Sequence, residues 1–145
     1  MRIDDSRPIW AQLVTEFCRR IAAGEWVAGN KVPSVRELAL ELSVNPNTVQ
    51  KALGEVDRLG LTLAERTAGR FVTSDADAIA RQRASLAAAT ASEFARVAAG
   101  VGMSLPEATT LLAEQWAVNG RADPEPGAPS TTPQTTTDHH RKDPR

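Results

Sequence analysis

The chain has 145 residues, of which 41% are hydrophobic and 24% charged, and its formal net charge at pH 7 is −1. This length is enough for one domain with an appendage, and the near-zero charge means that any surface for nucleic acid has to be positive locally rather than overall. Because no apolar stretch is long enough to cross a membrane and the first ten residues lack the apolar core of a secretory signal, neither feature is predicted.

Catalytic and metal-binding chemistry has few candidate residues. The two histidines, His139 and His140, lie in a polar C-terminal segment, and Cys18 is the only cysteine. The remainder of the chain therefore has no histidine base and no Cys/His cluster for zinc or iron, and it carries no dinucleotide-binding, Walker or nucleophile-elbow motif. We predict a cytoplasmic protein that is not an enzyme and binds no cofactor or metal, and we interpret the histidine pair as incidental.

Composition divides the chain into three regions. Residues 1–74 combine short periodic segments with Gly, Pro and Asn turns, whereas residues 75–119 are rich in alanine. Residues 120–145 repeat Pro and Thr with hardly an apolar side chain. This last region cannot bury enough apolar surface to offset its chain entropy, so it is predicted to be a disordered polar tail.

Residues 8–23 are predicted to form the first helix. Its apolar side chains recur at helical spacing, which gives one buried stripe, and Gly24 ends the helix. A short extended piece around Trp26 and Val27 is expected to follow, leading to a Gly-Asn turn. The stripe consists of Ile9, Leu13, Val14, Phe17, Cys18 and Ile21.

Two short helices joined by a tight turn come next. Ser34 and Glu37 have the spacing of a capping box, which starts the first of them. After a three-residue turn, Asn45 can cap the second helix and Pro46 can occupy its first turn, and Gly60 stops it. Because the second helix begins with a polar turn, the pair describes a helix-turn-helix.

A two-stranded hairpin is predicted after these helices. Residues 61–65 and 70–73 each have the pattern of a short strand, and Gly69 can take a positive φ at the tip between them. Three helices followed by such a hairpin make a winged helix-turn-helix. The predicted fold is therefore mainly α with a small β-wing, assigned to residues 1–74.

The motifs of this region resemble those of the GntR family of bacterial transcription regulators. The resemblance rests on PIWAQL at residues 8–13, GNKVPSVRELA at 29–39 and VNPNTVQKA at 44–52, in the family's order and spacing. It covers about half of the chain. Most GntR proteins carry a large effector-binding domain, whereas the remainder here has room for two helices, which is similar to the YtrA-like subfamily.

The resemblance implies that the starts of the second and third helices contact DNA. At such a helix N-terminus, free N–H groups and short polar side chains point at the groove, where Asn and Gln can pair with adenine. Arg and Lys can reach guanine or phosphate. The matching positions are Arg36, Asn45, Asn47, Thr48, Gln50 and Lys51. On the residues alone, Arg36 could instead pair with nearby glutamates.

The wing departs from the family pattern. Similar proteins usually carry RGKGT ahead of the position of Phe71, whereas this chain has RTAGR at residues 66–70. One glycine and one lysine are therefore missing from the tip. Contact of the wing with the minor groove or the DNA backbone then depends on Arg66, Gly69 and Arg70.

Residues 75–119 are predicted to form two helices, one over 75–100 and one that starts with a second capping box, Ser104 with Glu107. Each has an apolar stripe, and two such helices cannot enclose a core alone. We expect a homodimer held by Leu86, Phe94, Val97, Val101, Leu105, Leu111, Leu112 and Trp116. The alternative is that these helices cap the winged helix within a monomer.

Together these features predict a transcriptional regulator, acting as a repressor, that binds double-stranded operator DNA with an inverted repeat as a homodimer. Two alternatives stay open. One is a protein-interaction scaffold with little DNA affinity, which the altered wing and the near-zero charge favour. The other is a regulator gated by a small-molecule effector, with a small pocket at the helical appendage.

Overall fold

The computed structural model describes residues 1–120 and confirms the predicted mainly α fold with a small β-wing. Residues Met1–Val101 form one compact unit, and the chain from Gly102 onward belongs to a second. The predicted polar tail lies, apart from Gly120, outside the described residues, as do both histidines. The elements are α1 (Ile9–Ala22), α2 (Val35–Leu42), α3 (Pro46–Arg58), β1 (Thr62–Glu65), β2 (Gly69–Val72), α4 (Ala76–Gly100) and α5 (Leu105–Asn119).

The first helix buries most of its predicted stripe. Phe17 is fully buried and stacks on Trp26, with ring centroids 5.2 Å apart. Ile9, at the start of the stripe, is instead exposed. No strand forms around Trp26 and Val27, because the amide of Trp26 donates back to the carbonyl of Arg20 and holds the chain in a turn. The predicted extended piece is therefore wrong as a strand, although Trp26 does reach the core.

Local capping interactions define the helix-turn-helix. The Ser34 hydroxyl accepts from the amide of Glu37, and the Glu37 carboxylate accepts from the amide of Ser34, so the predicted capping box is present. Ser43 ends α2 in the left-handed region with a φ of 54°, which turns the chain into α3. Asn45 caps α3, as predicted, and Gly60 follows its end with a φ of 77°.

The wing is an antiparallel hairpin in which Thr62 pairs with Val72 and Glu65 pairs with Gly69. Lys31, in the segment before α2, forms a bridge with Phe71, and thus attaches that segment to the hairpin. Gly69 has a φ of 107°, a conformation that favours glycine, and an added Cβ there would lie 2.6 Å from Cε of Lys31.

One apolar core joins the helices of the winged helix, residues 1–74, to the hairpin. Its fully buried large side chains come from α1, α2, α3 and the start of the wing: Leu13, Phe17, Ile21, Leu38, Val49, Leu53, Val56 and Leu61. The first part of α4 packs on the same core through Ile79 and Leu86, which are half-buried. The winged helix and the start of α4 therefore fold as one unit.

The fifth helix belongs to the second unit. Ser104 and Glu107 form the predicted capping box at its start. Ala108 is buried, whereas Leu105 and Trp116 are exposed. Within residues 1–120, no helix combines the length and apolar character that crossing a membrane requires.

Candidate nucleic-acid interface

The first turn of α3 presents polar side chains on a rigid support. Asn45 lies at the cap, where its side-chain oxygen accepts from the amide of Asn47 at 2.8 Å. Asn47 and Gln50 are exposed, and the interleaved Val49 and Leu53 are fully buried in the core. Because Val49 and Leu53 are buried in the core, the opposite face of α3 has a fixed orientation toward solvent. The free amides of the first turn of α3 are also suited to binding an anionic ligand.

Arg36 lies in the first turn of α2 with an exposed side chain. It makes no ion pair with any residue between 1 and 120, so the alternative of a pair with nearby glutamates is not realised there. The neighbouring Glu37 is held by the capping box, and the hydrogen bond from the backbone of Ser34 lowers the pKa of its carboxyl. Arg36 therefore has a charged group available at the helix-turn-helix surface.

Lys51 and Thr48 lie on the same helix but in different environments. The Lys51 ammonium lies 4.2 Å from the centroid of the Trp10 ring, a cation–π contact that joins α3 to the start of α1. The lysine remains exposed, so its charge still faces solvent. Thr48 is half-buried, which leaves its side chain only partly accessible.

The wing arginines divide between the surface and the interior. Arg66 is exposed at the hairpin tip. The Arg70 guanidinium donates to both carboxylate oxygens of Asp57, at 3.0 and 3.1 Å, and its side chain is only 14% exposed. Asp57 also accepts from the hydroxyl of Thr62. Arg70 therefore connects the wing to the end of α3 through an ion pair. Its contact with DNA stays a prediction.

Lys31 is a candidate that sequence reasoning missed. Its side chain crosses the backbone of Gly69, beside a groove of about 330 Å³ that Val35, Glu65 and Arg70 also line. The amine is thus held next to the wing and the start of α2. Its position three residues before the α2 cap was the available signal, but only the return of the hairpin beside it shows that Lys31 joins the wing.

Ion pairs neutralise several arginines of residues 1–74, and the exposed charges left around α2, α3 and the wing are four cations and two acidic side chains, Glu37 and Glu65. Arg19 and Arg20 of α1 are bound to acidic side chains, and Arg58 at the end of α3 is bound to Glu55. By contrast, no ion pair within the described part of the chain involves the following exposed residues: Lys31, Arg36, Lys51 and Arg66. An overall charge of −1 is therefore compatible with a cationic surface at the helix-turn-helix.

No metal or nucleophile site competes with this surface in the region described. No group of three His, Cys, Asp or Glu side chains in residues 1–120 could hold a metal ion. Burial in the core raises the pKa of the Cys18 thiol to about 11, so this cysteine is a packed side chain rather than a reactive one.

The predicted dimerisation residues differ in exposure. Leu86 is half-buried against the winged-helix core, so part of its surface is already covered within the chain. Phe94 and Leu111 are half-buried. The remaining residues are exposed: Val97, Val101, Leu105, Leu112 and Trp116. The roles of all eight in a dimer stay predictions.

Comparison with known proteins gives matches over the winged helix and beyond it. The family model described as bacterial regulatory proteins, gntR family, matches residues 11–72. The HTH-type transcriptional regulator Rv1152 of Mycobacterium tuberculosis is 33% identical over 117 residues, which span 77% of this chain and 90% of that protein.

Two relatives from Bacillus subtilis match a shorter segment. The HTH-type transcriptional regulator YhcF is 36% identical over 78 residues, which are 54% of this chain and 64% of YhcF. The HTH-type transcriptional repressor YtrA is 38% identical over 71 residues, which are 49% of this chain and 55% of YtrA. The match therefore spans less than two thirds of either relative.

Solved structures extend the similarity to the fold. A GntR family transcriptional regulator from Listeria monocytogenes is 30% identical, covers 77% of this chain and 98% of its own, and superposes with a TM-score of 0.69. A transcriptional regulator from Oenococcus oeni is 27% identical, covers 79% of this chain and 96% of its own, and has a TM-score of 0.60.

Proposed function

Because the chain belongs to the GntR family of bacterial regulatory proteins, as its motifs predicted, we propose that it regulates transcription by binding a specific DNA sequence. The observation that carries this proposal is the exposed polar first turn of α3, together with the exposed Arg36 in the first turn of α2 of the same helix-turn-helix. The proposed role is binding rather than catalysis, and the proposed compartment is the cytoplasm, where the operator would be.

The proposed contacts follow from side-chain chemistry. Asn47 and Gln50 each offer one donor and one acceptor, which matches the edge of adenine in the major groove. Arg36 can reach guanine or neutralise phosphate, and Thr48 can contact a phosphate or a thymine methyl. Asn45 contributes first as the cap that orients α3. The phosphate contacts are assigned to exposed cations around this helix: Lys31, Lys51 and Arg66.

The proposed assembly is a homodimer on an inverted repeat, acting as a repressor by occupying DNA that the polymerase needs. One recognition helix reads only a few base pairs, and a two-fold dimer doubles the contact and selects paired half-sites. The exposed Val97 on α4, Val101 directly after α4, and Leu112 and Trp116 on α5 support this assembly, since both helices carry apolar surface exposed to solvent.

The test is a fluorescence-anisotropy titration of DNA from the protein's own upstream region, repeated at two salt concentrations. Each lost base contact costs about 1–3 kcal/mol, so the double variant Arg36→Ala with Gln50→Ala is expected to bind the specific site about 30-fold more weakly or worse. The control is Arg58→Ala, which also removes a cation from the helix-turn-helix, but one at the end of α3 that is already paired with Glu55. Equal binding by the double variant and the wild type would contradict the proposed interface.

A protein-interaction scaffold is the second candidate, and the Arg70–Asp57 ion pair favours it. This pair withdraws one wing cation from DNA, and the tip already lacks a lysine relative to similar proteins. Under this alternative, binding would be absent or indifferent to sequence even at low salt, and the Arg36/Gln50 double variant would behave as the wild type does.

Gating by a small-molecule effector is the third candidate. An open cavity of about 380 Å³ lies between the end of α1 and the start of α4, with Ile21, Val27 and Ile79 among its lining residues. A ligand there would contact both the winged helix and α4. A metabolite screen by thermal shift tests this candidate, and a ligand that raises Tm and changes the affinity for DNA would support it.

A further inference from the structure

The first part of α4 is tied to the winged helix by a charged hydrogen bond. Nε and Nη2 of Arg83 donate to the main-chain oxygen of Ala22, at 3.2 and 2.9 Å. Ala22 is the last residue of α1, where carbonyl groups have no partner within the helix and the helix dipole is negative. The guanidinium therefore satisfies a group that α1 leaves open, and its two donors on one oxygen restrict the direction of approach.

Two apolar contacts flank this bond on the same face of α4. Ile79 lies about one turn before Arg83 and Leu86 about one turn after it, and both pack against the winged-helix core. Every side chain from residue 87 to residue 93 is exposed. The attachment of α4 to the winged helix therefore consists of this short face and ends at Leu86.

The packing around the attachment is open on one side. Ile79 and Arg83 line the cavity of about 380 Å³ beside the end of α1. Apolar packing alone therefore leaves free space into which α4 could tilt. The Arg83 bond is the directional contact on this face, because hydrogen bonds depend on angle and dispersion contacts hardly do.

We propose that Arg83 is a positioning residue that sets the angle between α4 and the winged helix, and through it the half-site spacing that the regulator accepts in DNA. The inference rests on the proposed function, because it requires a dimer that places two recognition helices on one operator. Arg83 itself is not placed at the DNA, and it would act through the orientation of α4.

The length of α4 determines how far a change of its angle at the attachment moves its far end. From Leu86 to Gly100 the remainder of α4 is about 21 Å long at the usual helical rise. A tilt of roughly 10° at the attachment therefore moves the far end by roughly 4 Å, which is comparable with the ~3.4 Å step between base pairs. A small error in this angle would thus displace a partner's recognition helix by about one base pair.

The experiment compares Arg83→Ala with Arg81→Ala on a set of DNA duplexes. Arg81 is the matched control because it lies on the same helix, is exposed, and approaches Asp75 only to 3.9 Å. The site is selected from a random-sequence pool by the wild-type protein. Duplexes then carry this site with its selected spacing, with one or two base pairs inserted at the centre, or with one half-site alone.

The expected readout is a spacing ratio, which is the affinity for the duplex with the selected spacing divided by the affinity for the duplex with one inserted base pair. For the wild type and Arg81→Ala, one inserted base pair should weaken binding about tenfold, because the second half-site is rotated and shifted out of register. For Arg83→Ala this ratio should fall to about twofold, while affinity for the single half-site stays at the wild-type value. Arg83→Lys keeps the positive charge but loses the paired N–H donors of the guanidinium, so its ratio should lie between those of the wild type and Arg83→Ala.

Two results would overturn the inference. One is a wild-type spacing ratio in Arg83→Ala, and the other is an equal loss of affinity on every duplex, which would indicate a purely structural role. If the wild type selects no sequence at all, the proposed function fails, and the angle is then measured directly. Spin labels at the exposed positions of Arg58 and Arg96 should give a narrow distance distribution in the wild type and a broader one in Arg83→Ala, and equal widths would refute the positioning role.

Discussion

The winged helix and the two C-terminal helices use their apolar side chains in opposite ways. In the winged helix, Phe17 and Leu53 are wholly shielded from solvent within one chain. On α4 and α5, Val97 is 48% exposed, Leu105 is 80% exposed and Trp116 is 58% exposed. The difference indicates that the winged helix is stabilised by its own core, whereas much of the apolar surface of the other two helices is left exposed within one chain.

The largest expected effect is the loss of stability when a buried side chain of the winged helix is truncated, compared with truncation of an exposed one on α5. Phe17→Ala should destabilise the protein by about 3–5 kcal/mol, because it leaves a cavity in the centre of the core and removes the stacking partner of Trp26. Val118→Ala is the control, because Val118 is exposed on α5 and is not among the predicted dimer contacts, and its effect on the free energy of unfolding should stay within about 0.5 kcal/mol. Urea denaturation followed by circular dichroism measures both, and similar losses would contradict the comparison.

The next largest effect is on dimer affinity, to which the exposed apolar side chains of α4 and α5 should contribute most. Trp116→Ala should weaken self-association by about 2 kcal/mol, or roughly 30-fold, because large aromatic side chains carry much of the energy of an interface. Sedimentation velocity should give twice the 15.5 kDa chain mass for the wild type and a shift toward single chains for the variant. The control is Gln115→Ala on the same helix. A wild type that sediments as single chains at micromolar concentration would contradict the dimer.

The pH dependence of protein stability tests the comparison of the two regions through their ion pairs. Hydrogen bonds from Arg19, followed by those from Arg20, lower the pKa of Glu16 from its ordinary 4.5 to about 2, against the opposing effect of burial. Because the folded-state pKa is the lower one, this contribution is complete above pH 4.5 and disappears as the pH falls toward 2. Glu16→Gln should therefore cost about 1–2 kcal/mol at pH 7, and less at pH 3.

The control for this effect lies in the other region. Glu93 pairs with Arg96 on an exposed face of α4, where solvent screens the interaction. Glu93→Gln should leave the urea midpoint unchanged at both pH values. An equal and pH-independent loss in the two variants would show that Glu16 does not act through its charge.

The smallest expected effects concern the two capping boxes, one in each region. Ser34→Ala and Ser104→Ala each remove a side-chain acceptor from a helix start, a loss of about 1 kcal/mol. Because α2 belongs to the cooperative core, Ser34→Ala should lower the Tm of the winged helix. Ser104→Ala should increase hydrogen exchange in α5 only, and faster exchange in the core of the winged helix would contradict the separation of the two regions.

Sequence reasoning succeeded where a short segment contains its own signal. Ser34, Asn45 and Ser104 were identified as caps because a capping oxygen acts on amides two or three residues away. The hairpin was predicted from two short strands and a glycine at its tip, although Gly69 is in fact the first residue of β2 and pairs with Glu65. The extended piece at Trp26 was wrong because the backbone hydrogen bond back to Arg20 does not show in the alternation of side chains.

Contacts between distant segments were not predictable in this way. The sequence predicted Arg70 as a DNA contact but not its ion pair with Asp57, 13 residues earlier, and Lys31 became a candidate only when the hairpin returned beside it. The sequence determined the order of elements, the caps and the family, because these depend on neighbouring residues and recurring motifs. Which arginines are held in ion pairs within residues 1–120, and the hydrogen bonds from Arg83 to Ala22, depended on the tertiary structure, because packing of the core brings these groups together.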